Sequence, residues 1–355
     1  MTGTTIDTSI QKLLDGGLNL SDLDALGLIL GGGSVVDWYR LNFKTLEEVD
    51  AFLLLHRHDW ADPFDRRRLL GLYLDAVEYL AENFDYRLPP EIAAVDDVRT
   101  VFLNASSGTA DARLQMLSCV VLKVMHIIHH AQARELLYIT PVSYRQIFGA
   151  VEEKVGREVV AMQREGYPIH SFTGTRKTMH NQVTRLLAAR EVIAARVYDK
   201  VSFQIVTERV EDILPVLLHL ARRVFPFNYV VPGAGSNSLI DLAAIVRSVP
   251  GLKGDMDLLQ SVEARAGAAA DASQGPTPKA VDFVVDMPLR VDELGIQTGT
   301  ETQERLGRIV FALVEFQLQD LATFRLNETS DAGRSAQRRR MKARAWDRLT
   351  KGRLE

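Results

Sequence analysis

The feature that most constrains this chain is a change of hydrophobic period part-way along it. From Ile6 to about Arg164 apolar residues recur at helical spacing with hardly any β-branched alternation, which predicts helices over residues 66–83, 111–136 and 141–164. Residues 114–128 are apolar nearly all round, as a buried central helix would be. Beyond Gly166 strand-like alternation appears and interleaves with helices. Val201 to Val206 reads as a strand, and residues 211–224 place Ile213, Leu217, Leu220 and Val224 on one helical face, with Pro215 tolerable in the first turn. A short strand is expected at 227–231, a helix at 238–249, further strands at 281–291 and 309–318, and a helix restarting after Gly333.

The fold class this implies is α+β: a helical N-terminal domain, then a mixed sheet of four or five strands flanked by helices. The 355 residues suffice for two or three domains. They divide into a helical part at 1–140, the sheet domain at 141–330, and a basic C-terminal helix or tail at 331–355. Of the 15 residues 264–278, 12 are Ala, Gly, Pro, Ser or Thr, so 250–279 reads as a flexible insertion into the second domain.

Composition removes several classes. With 46% hydrophobic and 25% charged residues, the chain is neither wholly disordered, collagen-like nor membrane-embedded. Its single cysteine, Cys119, cannot form an intramolecular disulfide, which favours a reducing compartment and a cytoplasmic location. The N-terminal residues lack the basic and apolar regions of a secretory signal. Residues 114–128, interrupted by Gln115, Ser118, Lys123 and His126, are too short and polar to span a bilayer, so no membrane contact is expected. Net charge is −4, but residues 333–355 carry nine cations against Asp347 and Glu355, a local +7 that makes RNA phosphates a candidate partner for Arg338 to Arg344.

Three features carry chemistry. In the 309–319 strand one face is apolar throughout, while the other runs Ile309, Phe311, Leu313 and then Glu315, Gln317, Gln319. Asp199 opens the 201–206 strand directly after Tyr198. Residues 171–178, Ser-Phe-Thr-Gly-Thr-Arg-Lys-Thr, read as a glycine turn whose Arg176 and Lys177 stand at a helix N-terminus, where free amides and the positive end of the dipole favour an anion. A cationic turn, an acid starting a strand and a distant acid on another strand are the parts of metal-assisted phosphoryl transfer.

These residues resemble the synthetase domain of the RelA/SpoT-type alarmone synthetases, a branch of the nucleotidyltransferase superfamily that moves pyrophosphate from ATP to the 3′-hydroxyl of a guanine nucleotide. In that resemblance Gly174, Thr175, Arg176 and Lys177 form the donor loop, Asn181 falls where the family has a serine, and Arg185 is the later basic residue. Tyr198-Asp199 is similar to the family's metal position, and Glu315-Phe-Gln317-Leu-Gln319 to its last core strand. The resemblance implies Mg²⁺ held by Asp199 and Glu315, catalysis by Glu315, ATP as donor and a guanine nucleotide as the acceptor to test. Gln204 and Gln319 stand where the family pattern has arginines, and Thr175 where it often has one. The acceptor motif would fall at residues 236–240, keeping Ser238 but neither the tyrosine nor the histidine. A non-catalytic module that binds nucleotide or RNA is the alternative.

Other features are weaker. His58-Asp59 invites comparison with metal phosphohydrolases, and His126 and His130 have the i, i+4 spacing of two metal ligands, with His129 beside them; without an identifiable carboxylate partner they read as core or surface histidines. Residues 31–37 read as a helix-breaking turn with Ser34 as cap. Asp282, Asp286 and Arg290 share one strand face, explained by solvent exposure or by joining the metal site.

Overall fold

A computed structural model describes residues 20–31, 41–84, 88–106, 111–176, 178–188, 201–242, 244, 279–330 and 333–350. Its first part is helical: α1 (Leu20–Gly31), α2 (Leu46–Leu55), α3 (Pro63–Phe84), the short α4 (Pro90–Ala93) and α5 (Arg99–Asn104), α6 (Ala112–Ile139) and α7 (Tyr144–Arg164). Capping defines several ends. Asp111 accepts the N–H groups of Arg113 and Leu114 at the start of α6, and Ser143 with Gln146 forms a capping box on α7.

The second part is a mixed five-stranded sheet in the order β1-β2-β5-β4-β3, confirming the α+β class. Its strands are β1 (Ile169–Arg176), β2 (Val201–Thr207), β3 (Ser236–Asn237), β4 (Val281–Arg290) and β5 (Ile309–Asp320). Interleaved with them are α8 (Met179–Ala188), α9 (Ile213–Arg223) and α10 (Thr300–Leu306), and α11 (Leu321–Thr329) and α12 (Arg334–Thr350) follow. Only β2 and β5 run parallel; the other pairings are antiparallel.

Two apolar cores form. Leu26 and Ile29 of α1, Val151 and Val155 of α7, and Leu217 of α9 cover the sheet face that carries Phe203, Phe283 and Phe316. Leu53, Leu69, Leu72, Val101, Leu122 and Met125 make the helical core. At 28 residues α6 is longer than the apolar run suggested, and by length and composition it could cross a bilayer; its Leu117, Val121, Leu122 and Met125 are instead buried among the helices.

Two sequence expectations are corrected here. Residues 227–231 are not a strand but a 3-10 turn, Phe227–Tyr229, followed by a single bridge from Val230 to Val285. The reason is that Phe227 enters the helical core while Tyr229 enters the sheet core, and a strand could not deliver both. Gly174 lies within β1 opposite Phe203, not in a turn. An added Cβ there would approach Phe203 Cε1 to 3.2 Å, so the glycine serves close packing on an aromatic ring. Of the helix expected at 238–249, residues 238–241 are not helical, Leu242 and Ala244 are, and the others lie outside the described residues. The turn at 31–37 and the insertion at 250–279 lie outside the described residues, apart from Gly31 and Lys279.

Candidate functional site

Register assembles the site. Thr175 of β1 pairs with Ser202 of β2, and Ser202 with Glu315 of β5, so three residues widely separated in sequence form one transverse row. The next row is Thr173, Gln204, Gln317, Asp282 and Ser236. Side chains paired in this way project from one face, and it is the face opposite the apolar core.

The second row is stitched by directional hydrogen bonds. Gln204 Nε2 donates to Gln317 Oε1 at 3.2 Å, and Gln317 Nε2 donates to Asp282 Oδ1 at 2.9 Å. Ser236 Oγ donates to the other oxygen of Asp282 at 3.4 Å. Each glutamine is therefore oriented, and the hydrogen bonds from Gln317 and Ser236 converge on the Asp282 carboxylate. Asp282 was legible as a polar strand residue, but its link to Gln317 depends on a register that alternation alone does not fix.

A cation reaches Glu315 from outside the sheet. Arg185 lies in the last turn of α8, with Nη1 3.8 Å from Glu315 Oε1. α12 packs along α8, and Arg348 donates to the Leu187 carbonyl at 2.7 Å, satisfying one of the acceptors left at a helix C-terminus. Thr178 Oγ1 accepts the backbone N–H of Asn181 at 3.3 Å, capping the other end, and the Asn181 side chain is half-buried.

The remaining sequence candidates fall elsewhere. Arg176 turns to Glu152 on α7, with Nε 2.9 Å from Glu152 Oε1; that hydrogen bond holds the Glu152 carboxyl below its ordinary range. Gln319, 2% exposed, is buried, and its Oε1 has no partner among the described residues. Ser238 is drawn into the backbone: Oγ donates to the Ala280 carbonyl at 3.2 Å and accepts the Ala280 N–H at 3.0 Å. Lys177 and Asp199 lie outside the described residues. Among the described residues no group of three or more His, Cys, Asp or Glu side chains is arranged to hold a metal ion.

No family model matches the chain, and no curated protein matches it. Several solved structures are similar to the chain at low identity and low TM-score. Small alarmone synthetase 1 from Bacillus subtilis bound to its product pppGpp is 16% identical, with a TM-score of 0.31 over 62% of this chain and 92% of that one. The same enzyme bound to AMPCPP is 14% identical, with a TM-score of 0.27 over 59% of this chain and 88% of that one. A Streptococcus mutans UA159 protein is 13% identical, with a TM-score of 0.28 over 59% and 89%.

Proposed function

We propose that this protein binds a nucleoside triphosphate on the polar face of its sheet and transfers pyrophosphate from ATP to a nucleotide hydroxyl, as alarmone synthetases do. The observation that supports the reading is the Thr175–Ser202–Glu315 row with Arg185 beside the glutamate: it gathers the end of β1, the start of β2, the polar stretch of β5 and a cation at one place. In this reading Arg185 and Lys177 neutralise donor phosphates, Gln317 and Asp282 hold polar groups of the ligand, and Glu315 accepts the proton of the attacking hydroxyl.

Mg²⁺ is commonly held by one or two carboxylates together with substrate phosphates, and the half-buried Glu315 carboxylate fits that role. Glu315 and Asp199 would hold it, and its charge would offset that of the transferred group.

The test is incubation of the full chain with labelled ATP, Mg²⁺ and GDP or GTP. Turnover should fall at least about a hundredfold in Glu315→Gln, the lower end of general-base contributions, and should stop on chelation of the metal. Turnover equal in wild type and Glu315→Gln overturns the assignment. A second reading, nucleotide or RNA binding without catalysis, is favoured by Gln204, whose amide occupies Gln317 in a position where the resembled family carries an arginine. The exposed Arg338, Arg339, Lys342 and Arg344 on α12 would serve RNA phosphates. Nucleotide affinity with no product formed would select this second reading.

A further inference from the structure

Five of the eight histidines meet where the two apolar cores join. His56 and His58 follow α2, and His126, His129 and His130 belong to α6. The rings touch one another: centroids are 5.1 Å apart for His58 and His129, and 4.4 Å for His126 and His130. His130 also stacks on Phe311 of β5 at 4.2 Å and 12°. Four of these histidines, with Asn228, Tyr229 and aliphatic neighbours, line a cavity of about 50 Å³.

Three observations go beyond packing. His58 is 4% exposed, and neither ring nitrogen has a hydrogen-bond partner among the described residues. Arg57, between His56 and His58, has φ of 70°, a backbone conformation that non-glycine residues seldom take; its carbonyl accepts Arg290 Nη1 at 3.3 Å and its guanidinium pairs with Glu293. Finally, Asn228 bridges two rings, with Oδ1 3.0 Å from His56 Nε2 and Nδ2 3.2 Å from His126 Nδ1, while His56 Nδ1 lies 2.8 Å from the Phe52 carbonyl. Two oxygen acceptors facing His56 match a ring that carries both protons. The neutral ring is matched by the same amide turned through 180°, nitrogen toward His56. In the closed, neutral seam this second orientation satisfies His56, with His126 Nδ1–H donating to the amide oxygen.

Apart from Asp286, whose carboxylate favours a proton on His130, the charged groups around the closed seam oppose its protonation. Asp286 on β4 lies 3.8 Å from His130, whereas Asp65 on α3 is already paired with Arg290 at 2.7 Å. Arg68 and Arg290 act on His58, Lys154 of α7 on His56 and Arg134 of α6 on His130, each disfavouring added positive charge. Burial is the larger effect. It lowers His56 and His130 to about 4 and His58 to about 3, and His126 and His129 well below the ordinary value. It lowers Lys154 to about 8 and raises Tyr229.

We infer that this histidine seam is a proton-operated latch between the helical part and the sheet, closed while its imidazoles are neutral and released when they take up protons from solvent. The direction follows from linkage. An opened seam returns its rings to a pKa near 6.5, while the closed seam accepts protons only near 4 and below. The closed state is thus fully favoured above about pH 7 and is lost as pH falls through the 6.5–4 window. The effect reaches the polar face because Phe311, Leu313 and Glu315 follow at two-residue steps on β5. This last link depends on the functional reading above; the latch itself does not.

The test follows the opening equilibrium of the full chain by urea denaturation and hydrogen exchange between pH 7.5 and 5, above the range in which ordinary carboxylates titrate. Each proton taken up changes the equilibrium tenfold per pH unit. We expect at least a hundredfold change per unit below pH 6.5, with residues 126–130 and 309–313 losing protection before β1 and β2. His58→Leu, which removes two unpartnered nitrogens, should reduce the slope by about one proton. His170→Gln, at an exposed ring paired with Glu208, should leave it unchanged. A wild-type slope of one proton or fewer, uniform loss of protection, or an unchanged slope in His58→Leu overturns the latch. If His58→Leu fails to fold, the wild-type slope and exchange order decide the question.

Discussion

A methyl group on Gly235 would lie 2.5 Å from the Asp282 carbonyl oxygen and 3.2 Å from Phe283 Cα. These obstacles are backbone atoms of β4 and cannot rotate away, so Gly235→Ala must displace the edge of the sheet. The expected cost is about 1–3 kcal/mol, typical of overpacking, measured as a lower urea midpoint with an unchanged slope. Gly174 differs because its close neighbour is a side chain, the Phe203 ring at 3.2 Å, and not backbone. The two glycines look alike in sequence, and what each meets across the sheet separates them.

At the scale of elements, Asp320 joins a strand to a helix. It ends β5 and caps α11, with Oδ2 accepting the N–H groups of Ala322 at 3.0 Å and Thr323 at 3.1 Å. Asp320→Ala should cost about 1 kcal/mol and Asp320→Asn much less, since either oxygen-bearing cap serves; thermal melts of the two variants give the comparison. Most elements were legible because their periods are unambiguous. β2 and β5 alternate, and α3, α6 and α7 repeat at helical spacing. β1 was misread because Gly174 carried the signature of a turn, and 227–229 because an apolar run does not reveal that its side chains part toward different cores. Of the candidate site, Glu315 and Gln317 were legible from the polar end of a strand, and Arg185 only through the family resemblance. The links from Gln317 to Asp282 and from Asn228 to two histidines were not, because each joins segments whose alignment emerges only on folding.

At the scale of the whole molecule, the helical part is fastened to the sheet by buried charge as well as apolar contact. Arg290 of β4 meets Asp65 of α3 at 2.7 Å, with side chains 13% and 4% exposed, and Asp292 at 3.1 Å. Arg308 pairs with Asp62 at 3.5 Å, and Gln146 Nε2 donates to the Leu294 carbonyl at 3.2 Å. Arg290→Met would leave Asp65 buried without its counter-charge, a loss of about 3–5 kcal/mol for a broken buried pair. Adding Asp65→Asn should restore part of the loss, and chemical denaturation of the single and double variants checks this coupling.

The polar contacts at residues 238, 279, 280 and 327 have a wider consequence. Ser238 clasps Ala280, and the Asn327 amide holds both the N–H and the carbonyl of Lys279, at 3.1 and 2.8 Å. The start of β4 at Val281 is thereby aligned by side-chain contacts to the two residues before it. The start of β4 therefore answers to two side chains from opposite sides of it in sequence, Ser238 and Asn327, as well as to its strand partners.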